Sequence, residues 1–422
     1  MLYEYLKDVG FDVYWQLPID DQPYGLSRDL ISDFKQRGID LCITVDCGIS
    51  NHKEIEELKN VGIETIVIDH HEPHSTLPEA FAIINPKCSK NFGFPNLSGS
   101  GVTFMFIFAH AFFKSEYFNK KIALLYKADT AYKLEIFVNL LVVSSFEIQQ
   151  KNLPELDVEY LFCYECDLST LNGLFYKKSY SISFEKNYIN SNLLSFFGEE
   201  IKARIFFLNK IYETITPILE IKKKYLPLAM LGTIADIMPL IGPNRIISKL
   251  GISYLKEEMP KNFEYLFKLI NFDCKMMDSK DISWTVCPIL NSPGRMGDAT
   301  KTVNFFLKNS LDSVVEELVC INNERKKKGE EVYQNFLKEI DKNMESYKNS
   351  LTFFCSDDID RGITGITAMR IAKYTNISSI VVTKEGGCYS GSMRGNGGYH
   401  LVKFLEKGKE LFVQYGGHKN AA

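Results

Sequence analysis

No uncharged apolar stretch in this sequence approaches the roughly 18 residues that a membrane helix needs, and the opening MLYEYLKDVG lacks a basic segment followed by an apolar run and a small-residue cleavage site. The expectation is a cytoplasmic protein that does not engage a membrane. Excess positive charge is lacking too. The formal net charge is -4, so any nucleic-acid surface has to be a local groove and not a basic face of the whole molecule. Zinc-finger spacing is missing as well. The ten cysteines are scattered, and several lie inside apolar strand-like runs, such as Cys42 in LCITV and Cys355 in LTFFCS, which suits reduced core thiols better than disulfides. Cys163 and Cys166 form a C-x-x-C with no second pair or histidine partner at zinc-site spacing. What is present is ordinary globular material: 45% hydrophobic and 24% charged residues over 422 positions, enough for two or three cores.

The first eighty residues change hydrophobic period repeatedly. YEYLKDVG reads as a helix ending at Gly10, FDVYWQL as a strand, and SRDLISDFKQRG as a helix with Ser27 as N-cap, with Leu30, Ile31 and Phe34 on one face and Gly38 past its end. LCITV is then a strand, NHKEIEELKNVG a helix burying Ile55, Leu58 and Val61, and ETIVI a strand. Strands that are apolar on both faces and separated by helices belong to an α/β fold with a parallel sheet flanked by helices. Right-handed crossovers bring the carboxyl ends of such strands to one edge, where open α/β folds place ligands.

Asp46 in TVDCGIS and Asp69 in VIDHHEP both sit at such ends. Between neighbouring strands their side chains and those of His70 and His71 can converge on one or two ions. Helix capping is the alternative for each aspartate alone. Two adjacent histidines behind a buried strand are costly to desolvate unless they bind something. Carboxylate and imidazole without thiolate suit Mn²⁺ or Mg²⁺, with Zn²⁺ possible.

Further along the chain, VDCGIS, IDHHEP, GTIADIMPL, LNSPGRMG, GITGI, GSMRG and YGGHKNAA follow one another in an order that resembles the DHH phosphoesterase superfamily, and its RecJ branch of single-strand-specific DNA exonucleases most. The resemblance covers most of the chain outside about 115–222, and it implies two-metal phosphodiester hydrolysis. It casts Asp46 as the metal-bridging ligand, His70 as a ligand, His71 as a phosphate contact, Asp69 as the group that orients its neighbours, and Asp236 as a further ligand. By itself Asp236, after the buried-helix pattern LPLAMLGTIA, could equally end that helix. Arg295, in what reads as a Pro/Gly loop, offers a guanidinium that matches phosphate oxygens bidentately. In the C-terminal part the resemblance adds Ser392, Arg394, His400, Gly416, Gly417 and His418 as substrate-binding residues. It implies Mn²⁺ or Mg²⁺ as cofactor, single-stranded DNA as substrate, and repair or replication proteins as partners.

The resulting expectation is a DHH domain over 1–310 with an insertion at about 115–222, a connecting helix over 311–345 whose RKKK is solvated, and a smaller α/β substrate-binding domain over 346–422. The departures are specific. No counterpart of the family's first motif, D-x-D-G, which supplies further ligands, is present, and Met1 falls where the following helix is expected. YGGHKNAA stops where the family continues into an OB-like domain, so the chain reads as truncated at both ends, and the expectation is that it is nearly inactive as it stands. Asp360 stands where the family usually has histidine. The insertion, aromatic-rich and partly strand-like, carries no functional assignment. Two other readings stay open: a DHH phosphatase for oligonucleotides or cyclic dinucleotides, and a non-catalytic nucleic-acid-binding relative.

Overall fold

The computed structural model describes residues 1–18, 25–89, 92–128, 131–148, 156–166, 174–182, 198–214, 218–307, 312–342, 351–357, 359–385, 387–397, 400–413, 415–417 and 420–422. Helix α1 (Leu2–Asp8) gives way at Gly10 to irregular backbone over residues 11–18. FDVYWQL therefore forms no strand, contrary to its alternation. The next strand, β1 (Leu41–Val45), takes its one neighbour from further along the chain, and Phe11 and Tyr14 stay exposed, with the Tyr14 ring 4.2 Å from the Arg37 guanidinium. Helix α2 (Arg28–Gln36) buries Ile31 and Phe34 as its spacing predicts, although Ser27 at the N-cap makes no capping hydrogen bond.

Strands β1, β2 (Glu64–Ile68) and β3 (Ala82–Ile84) form a parallel sheet in that spatial order, with α3 (His52–Asn60) as the crossover from β1 to β2. In α3 the buried residues are Ile55 and Leu58, whereas Val61 lies past the helix end and is exposed. Helix α4 (Gly99–Phe113) is apolar nearly all round because it is packed on two sides, against the sheet and against the later helix over Ile218–Ala235.

The insertion builds its own sheet from β4 (Lys121–Ala128), β5 (Ala131–Val138), β6 (Leu141–Ile148), β7 (Leu156–Tyr164) and β8 (Leu174–Ile182), in the spatial order β6-β5-β4-β7-β8. Helix α5 (Glu199–Thr214) lies against it and is pinned by Arg204, whose Nε donates to the buried Glu135 carboxylate at 2.8 Å. Cys163 is buried within this sheet, and the Cys166 thiol donates to the Tyr164 carbonyl at 3.2 Å.

Helices α6 (Ile218–Ala235), α7 (Gly242–Glu257), α8 (Lys261–Leu269), α9 (Cys287–Arg295) and α10 (Thr300–Leu307) complete the main core. The segment LNSPGR thus closes a helix and is not the loop its proline and glycine suggest. Pro293 lacks the N–H that would serve the Ile289 carbonyl, and the Ser292 hydroxyl donates to that carbonyl instead, at 2.7 Å. Helix α11 (Asp312–Lys342) gives Val315 and Leu318 to the main core and Val332, Phe336 and Ile340 to a second one. That second core lies under a mixed sheet of β9 (Leu351–Cys355), β10 (Ser378–Glu385) and β11 (Cys388–Arg394), with α12 (Thr364–Thr375) packed on it and α13 (Leu401–Glu406) following. The parallel sheet, the long helix and the smaller α/β unit agree with the expected fold class.

Candidate metal centre

The parallel register that sets Val45 opposite Ile68 continues one step past each strand. The Asp46 N–H donates to the Ile68 carbonyl at 2.8 Å, and the Asp69 N–H donates to the Ile84 carbonyl at 3.1 Å. The ladder thus fixes both aspartates at the carboxyl edge. Asp46 turns the chain there with a left-handed backbone, φ 62°, a region that aspartate enters more readily than most residues. Helix α3 begins behind Asn51, so Asp46 is not its cap. The Asp46 Oδ1 lies 3.1 Å from His70 Nε2, and Asp236 Oδ2 lies 3.4 Å from the same nitrogen. His70 is buried, at 2% exposure, while both carboxylates reach solvent. Asp46, His70 and His71 each bring a ligand atom within 4.8 Å of the others. One carboxylate and two imidazoles within that distance, with the Asp236 carboxylate 3.4 Å from His70 and both carboxylates open to solvent, are a hard-cation donor set.

Two helices bring the remaining parts into place. A Cβ built on Gly99, the first residue of α4, would lie 2.1 Å from Asp46 Oδ1 and 2.7 Å from Asp46 Cβ. Only glycine leaves room for the carboxylate. The start of α4 is tied to the end of α6 by hydroxyls: Ser98 Oγ is 3.0 Å from Thr233 Oγ1, and Ser100 Oγ donates to the Ala229 carbonyl at 3.2 Å. The two helices approach this closely because Gly232 has no side chain; a Cβ there would lie 2.1 Å from Ser100 Oγ. Asp236 follows directly, its N–H donating to the Gly232 carbonyl at 3.0 Å. It therefore ends the helix and also faces His70.

Asp69 works differently from its neighbours. Fully buried, its carboxylate accepts from the His70 N–H at 2.7 Å, the Ile49 N–H at 3.1 Å, the His71 N–H at 3.2 Å and His71 Nδ1 at 2.7 Å. Burial pushes this carboxyl up, but the hydrogen bonds from the His71 ring and from the Ile49 and His71 backbone outweigh it and hold the group at about 2. The same bond to Asp69 raises the His71 imidazole above its ordinary value against the opposing effect of burial, and the charges of Asp46 and Asp236 add to it. Asp69 thus orients His71 and the loop, not the ring of His70, whose buried Nδ1 has no hydrogen-bond partner among the described residues. Because about 2 lies below the ordinary 3.8, the stability this carboxylate contributes is complete above about pH 4 and is lost as pH falls toward 2. In metal-free protein Asp69→Asn is expected to cost about 2 kcal/mol at neutral pH. Urea unfolding should show that difference shrinking below about pH 4; a difference independent of pH would mean that the charge is not the cause.

A second cluster lies where α9 meets the C-terminal unit. The backbone of Arg295 abuts Gly362, at which a Cβ would fall 1.7 Å from the Arg295 carbonyl oxygen. On the other side of α12's first turn, the Thr364 hydroxyl is 3.0 Å from Ser392 Oγ, and Gly365 leaves room for Arg394, whose Nη2 would be 2.6 Å from a Cβ at that position. Burial pushes the Arg295, Arg325 and Arg394 guanidinium groups below their ordinary values, and Arg295 lowers the other two further. Among the described residues none of the three is ion-paired with a carboxylate. Partly desolvated positive charge left uncompensated is the electrostatics of an anion site.

The other C-terminal residues fall apart from this cluster in role. His400 is the N-cap of α13, its side chain accepting from the Lys403 N–H at 3.5 Å. Gly417 lies close to Ala421 and Ala422, while nothing crowds Gly416. His418 lies outside the described residues. Asp360 is ion-paired with Lys328 of α11 at 2.7 Å.

Residues 1–128 match the DHH family, N-terminal domain. This segment is similar to a DHH domain. Asp46, His70, His71 and Gly99 all lie within it, whereas Asp236 and the arginine cluster lie beyond it. Over 415 residues the chain is 25% identical to the single-stranded-DNA-specific exonuclease RecJ of Salmonella typhimurium, covering 94% of this chain and 55% of that protein. It is 22% identical to the RecJ of Thermus thermophilus over 425 residues, covering 99% of this chain and 46% of that protein. The chain thus spans about half the length of these curated relatives. In fold, all of the chain superimposes on 80% of a crystal structure of exonuclease RecJ bound to manganese, with TM-score 0.62 at 20% identity. It also superimposes on 46% of a manganese complex of Thermus thermophilus RecJ, again with TM-score 0.62.

Two residues of these sites escape a reading of the sequence. Arg325 belongs to the RKKK run, but it is 8% exposed, in contrast to the solvated run expected, and only Lys326, Lys327 and Lys328 face solvent. The signal was available: Leu318, Asn322, Arg325, Gly329, Val332, Phe336 and Ile340 continue one helical stripe. Gly99, in SGSG, reads as a turn before an apolar helix, and nothing in that pattern names Asp46 as its neighbour.

Proposed function

We propose that the chain is the DHH portion, with the associated C-terminal unit, of a RecJ-type nuclease that hydrolyses phosphodiester bonds of single-stranded DNA from the 5′ end, in the cytoplasm and in the service of DNA repair and recombination. The observation that carries this reading is the convergence of Asp46, His70 and Asp236 at one sheet edge, from three separate elements. The donor set fits Mn²⁺ or Mg²⁺, the first of which the structurally similar RecJ proteins bind. Asp46, His70 and Asp236 would hold the metal. A metal held there would lower the pKa of a bound water and neutralise charge on the phosphoryl oxygens.

The protein's own groups supply the rest. Because His71 Nδ1 is given to Asp69, Nε2 is the ring nitrogen that donates to a phosphoryl oxygen. The raised imidazole titration keeps that donor available closer to neutral pH. Arg295, Arg394 and Ser392 take up a phosphate of the strand and hold it in register with the sheet edge. His400, Gly416 and Gly417 belong to the face over which the strand runs, His418 is assigned to substrate binding with them, and α11, between a domain ending near 310 and one beginning near 345, connects the two.

The test is nucleotide release from a 5′-phosphorylated single strand in Mn²⁺, by this chain and by a version extended with the D-x-D-G segment of a RecJ relative. The extended protein is expected to release nucleotides. Asp46→Ala or Asp236→Ala should abolish release while strand binding persists, and Arg394→Ala should weaken binding by about 1 to 3 kcal/mol with the metal site intact. Rapid cleavage of dinucleotides with no action on longer strands would replace this reading with that of an oligonucleotide phosphatase. Full activity in Asp46→Ala would place the metal site elsewhere.

A further inference from the structure

Helix α6 closes with the hydrogen-bond pattern of a Schellman motif: the Met238 N–H donates to the Thr233 carbonyl at 3.1 Å, and the Ile237 N–H donates to the Ile234 carbonyl at 3.1 Å. The residue between, which must adopt a left-handed backbone, is ordinarily glycine. Here it is Ile237, at φ 54°. A β-branched side chain is the least suited to that region, because its Cβ crowds the following carbonyl. Among the described residues with positive φ that are not glycine, the others are Asp, Asn, Leu and Glu, so Ile237 is the one β-branched case.

Burial does not offset the strain, since Ile237 is 87% exposed. The residue follows Asp236, whose carboxylate faces His70. Past it the surface stays apolar through Pro239 to Ile241, which is 59% exposed. A side chain that strains the backbone and gains no burial in the isolated protein is accounted for if it is buried in a complex, and sparsely populated backbone conformations cluster at ligand sites.

We propose that Ile237, with Ile241 beside it, is an apolar platform for the base of the nucleotide adjoining the phosphate at the metal centre, so that the site holds a strand by its bases as well as by its phosphates. This rests on the reading of the site as one for single-stranded DNA. A nucleotide whose phosphate lies against Asp46 and Asp236 has to place its base and sugar on the immediately neighbouring surface. The surface that the connection from α6 to α7 presents there is hydrocarbon. Contact of this kind is tolerant of base identity, because every base has an apolar face.

The experiment uses the full chain with Mn²⁺ and 5′-phosphorylated oligonucleotides, one intact and a set with a single abasic site at successive positions, with binding read by fluorescence anisotropy and stability by thermal unfolding. Ile237→Gly is expected to raise the melting temperature by about 1 to 3 °C, by relieving the strain. It should also weaken binding of the intact strand about fivefold, with Mn²⁺ binding unchanged. The wild type should lose a similar factor when one particular base is removed, and the variant should be indifferent at that position, the signature of a direct pair. Undiminished binding by Ile237→Gly, a persisting abasic effect in the variant, or a fall in its melting temperature would each overturn the inference while leaving the nuclease reading intact. Failure of the wild type to bind the intact strand at all would bring down the nuclease reading and this inference together.

Discussion

Gly99→Ala is expected to remove Mn²⁺ binding while leaving the fold almost untouched. An alanine Cβ would lie 2.1 Å from Asp46 Oδ1, 2.5 Å from its Cγ and 2.7 Å from its Cβ. Retreat of the carboxylate tip alone cannot relieve the last contact, so the whole Asp46 side chain has to leave its place 3.1 Å from His70 Nε2. Asp46 is largely exposed, and moving it costs little packing. Alanine is also the better helix former at an ordinary helix position. Calorimetry should show Mn²⁺ affinity falling by at least about a hundredfold, the upper end of what displacing a ligand's support costs, with a melting temperature within a few degrees of the wild type. Retained Mn²⁺ affinity in Gly99→Ala would mean that Asp46 is not a ligand. The same variant should fail in nucleotide release as completely as Asp46→Ala.

The unequal legibility of the two sites follows from how each is built. The metal centre rests on a regular parallel sheet, and strand periodicity locates the ends of such strands to a residue; hence Asp46, Asp69, His70 and His71 could be placed on one edge from LCITV and ETIVI alone. Asp236 comes to the same point from a helix far along the chain. Its position depends on the contact of Gly232 with Ser100, which no local pattern reveals, and its assignment came through resemblance. The sequence offers the Arg295 guanidinium as a candidate match for phosphate, but it does not disclose the setting of that residue. Two prolines and a glycine in nine residues argue against a helix, and it took the Ser292 hydroxyl to supply the hydrogen bond that proline withholds. FDVYWQL shows the converse. Its alternation was sound as a pattern, yet a strand needs a neighbour to pair with, and the edge of β1 has none among the described residues. Arg325 was hidden by composition, since three lysines around it share its charge but not its side of the helix.

Gly362→Ala is expected to separate the two sites functionally. No left-handed backbone is required of Gly362; what it provides is close approach, and a Cβ there would lie 1.7 Å from the Arg295 carbonyl oxygen, 2.5 Å from its carbon and 2.7 Å from its Cα. All three are backbone-bound atoms at the end of a packed helix, so no rotamer change can yield. The C-terminal unit has to back away by more than about an ångström to restore ordinary contact distances. Overpacking of this kind costs about 1 to 3 kcal/mol, partly offset by the smaller conformational freedom of alanine in the unfolded chain. The larger consequence is geometric. Arg295 sits on one side of that seam, and Ser392 and Arg394 sit on the other, joined to it through Thr364. A displacement on this scale leaves guanidinium groups too far apart to hold one phosphate together. Single-strand affinity should therefore fall at least about tenfold, while Mn²⁺ binding at Asp46, His70 and Asp236 is unchanged, the opposite of the Gly99→Ala outcome. If Gly362→Ala bound strand and metal as the wild type does, the arginines would not act across the seam, and phosphate recognition would have to be assigned to one unit alone.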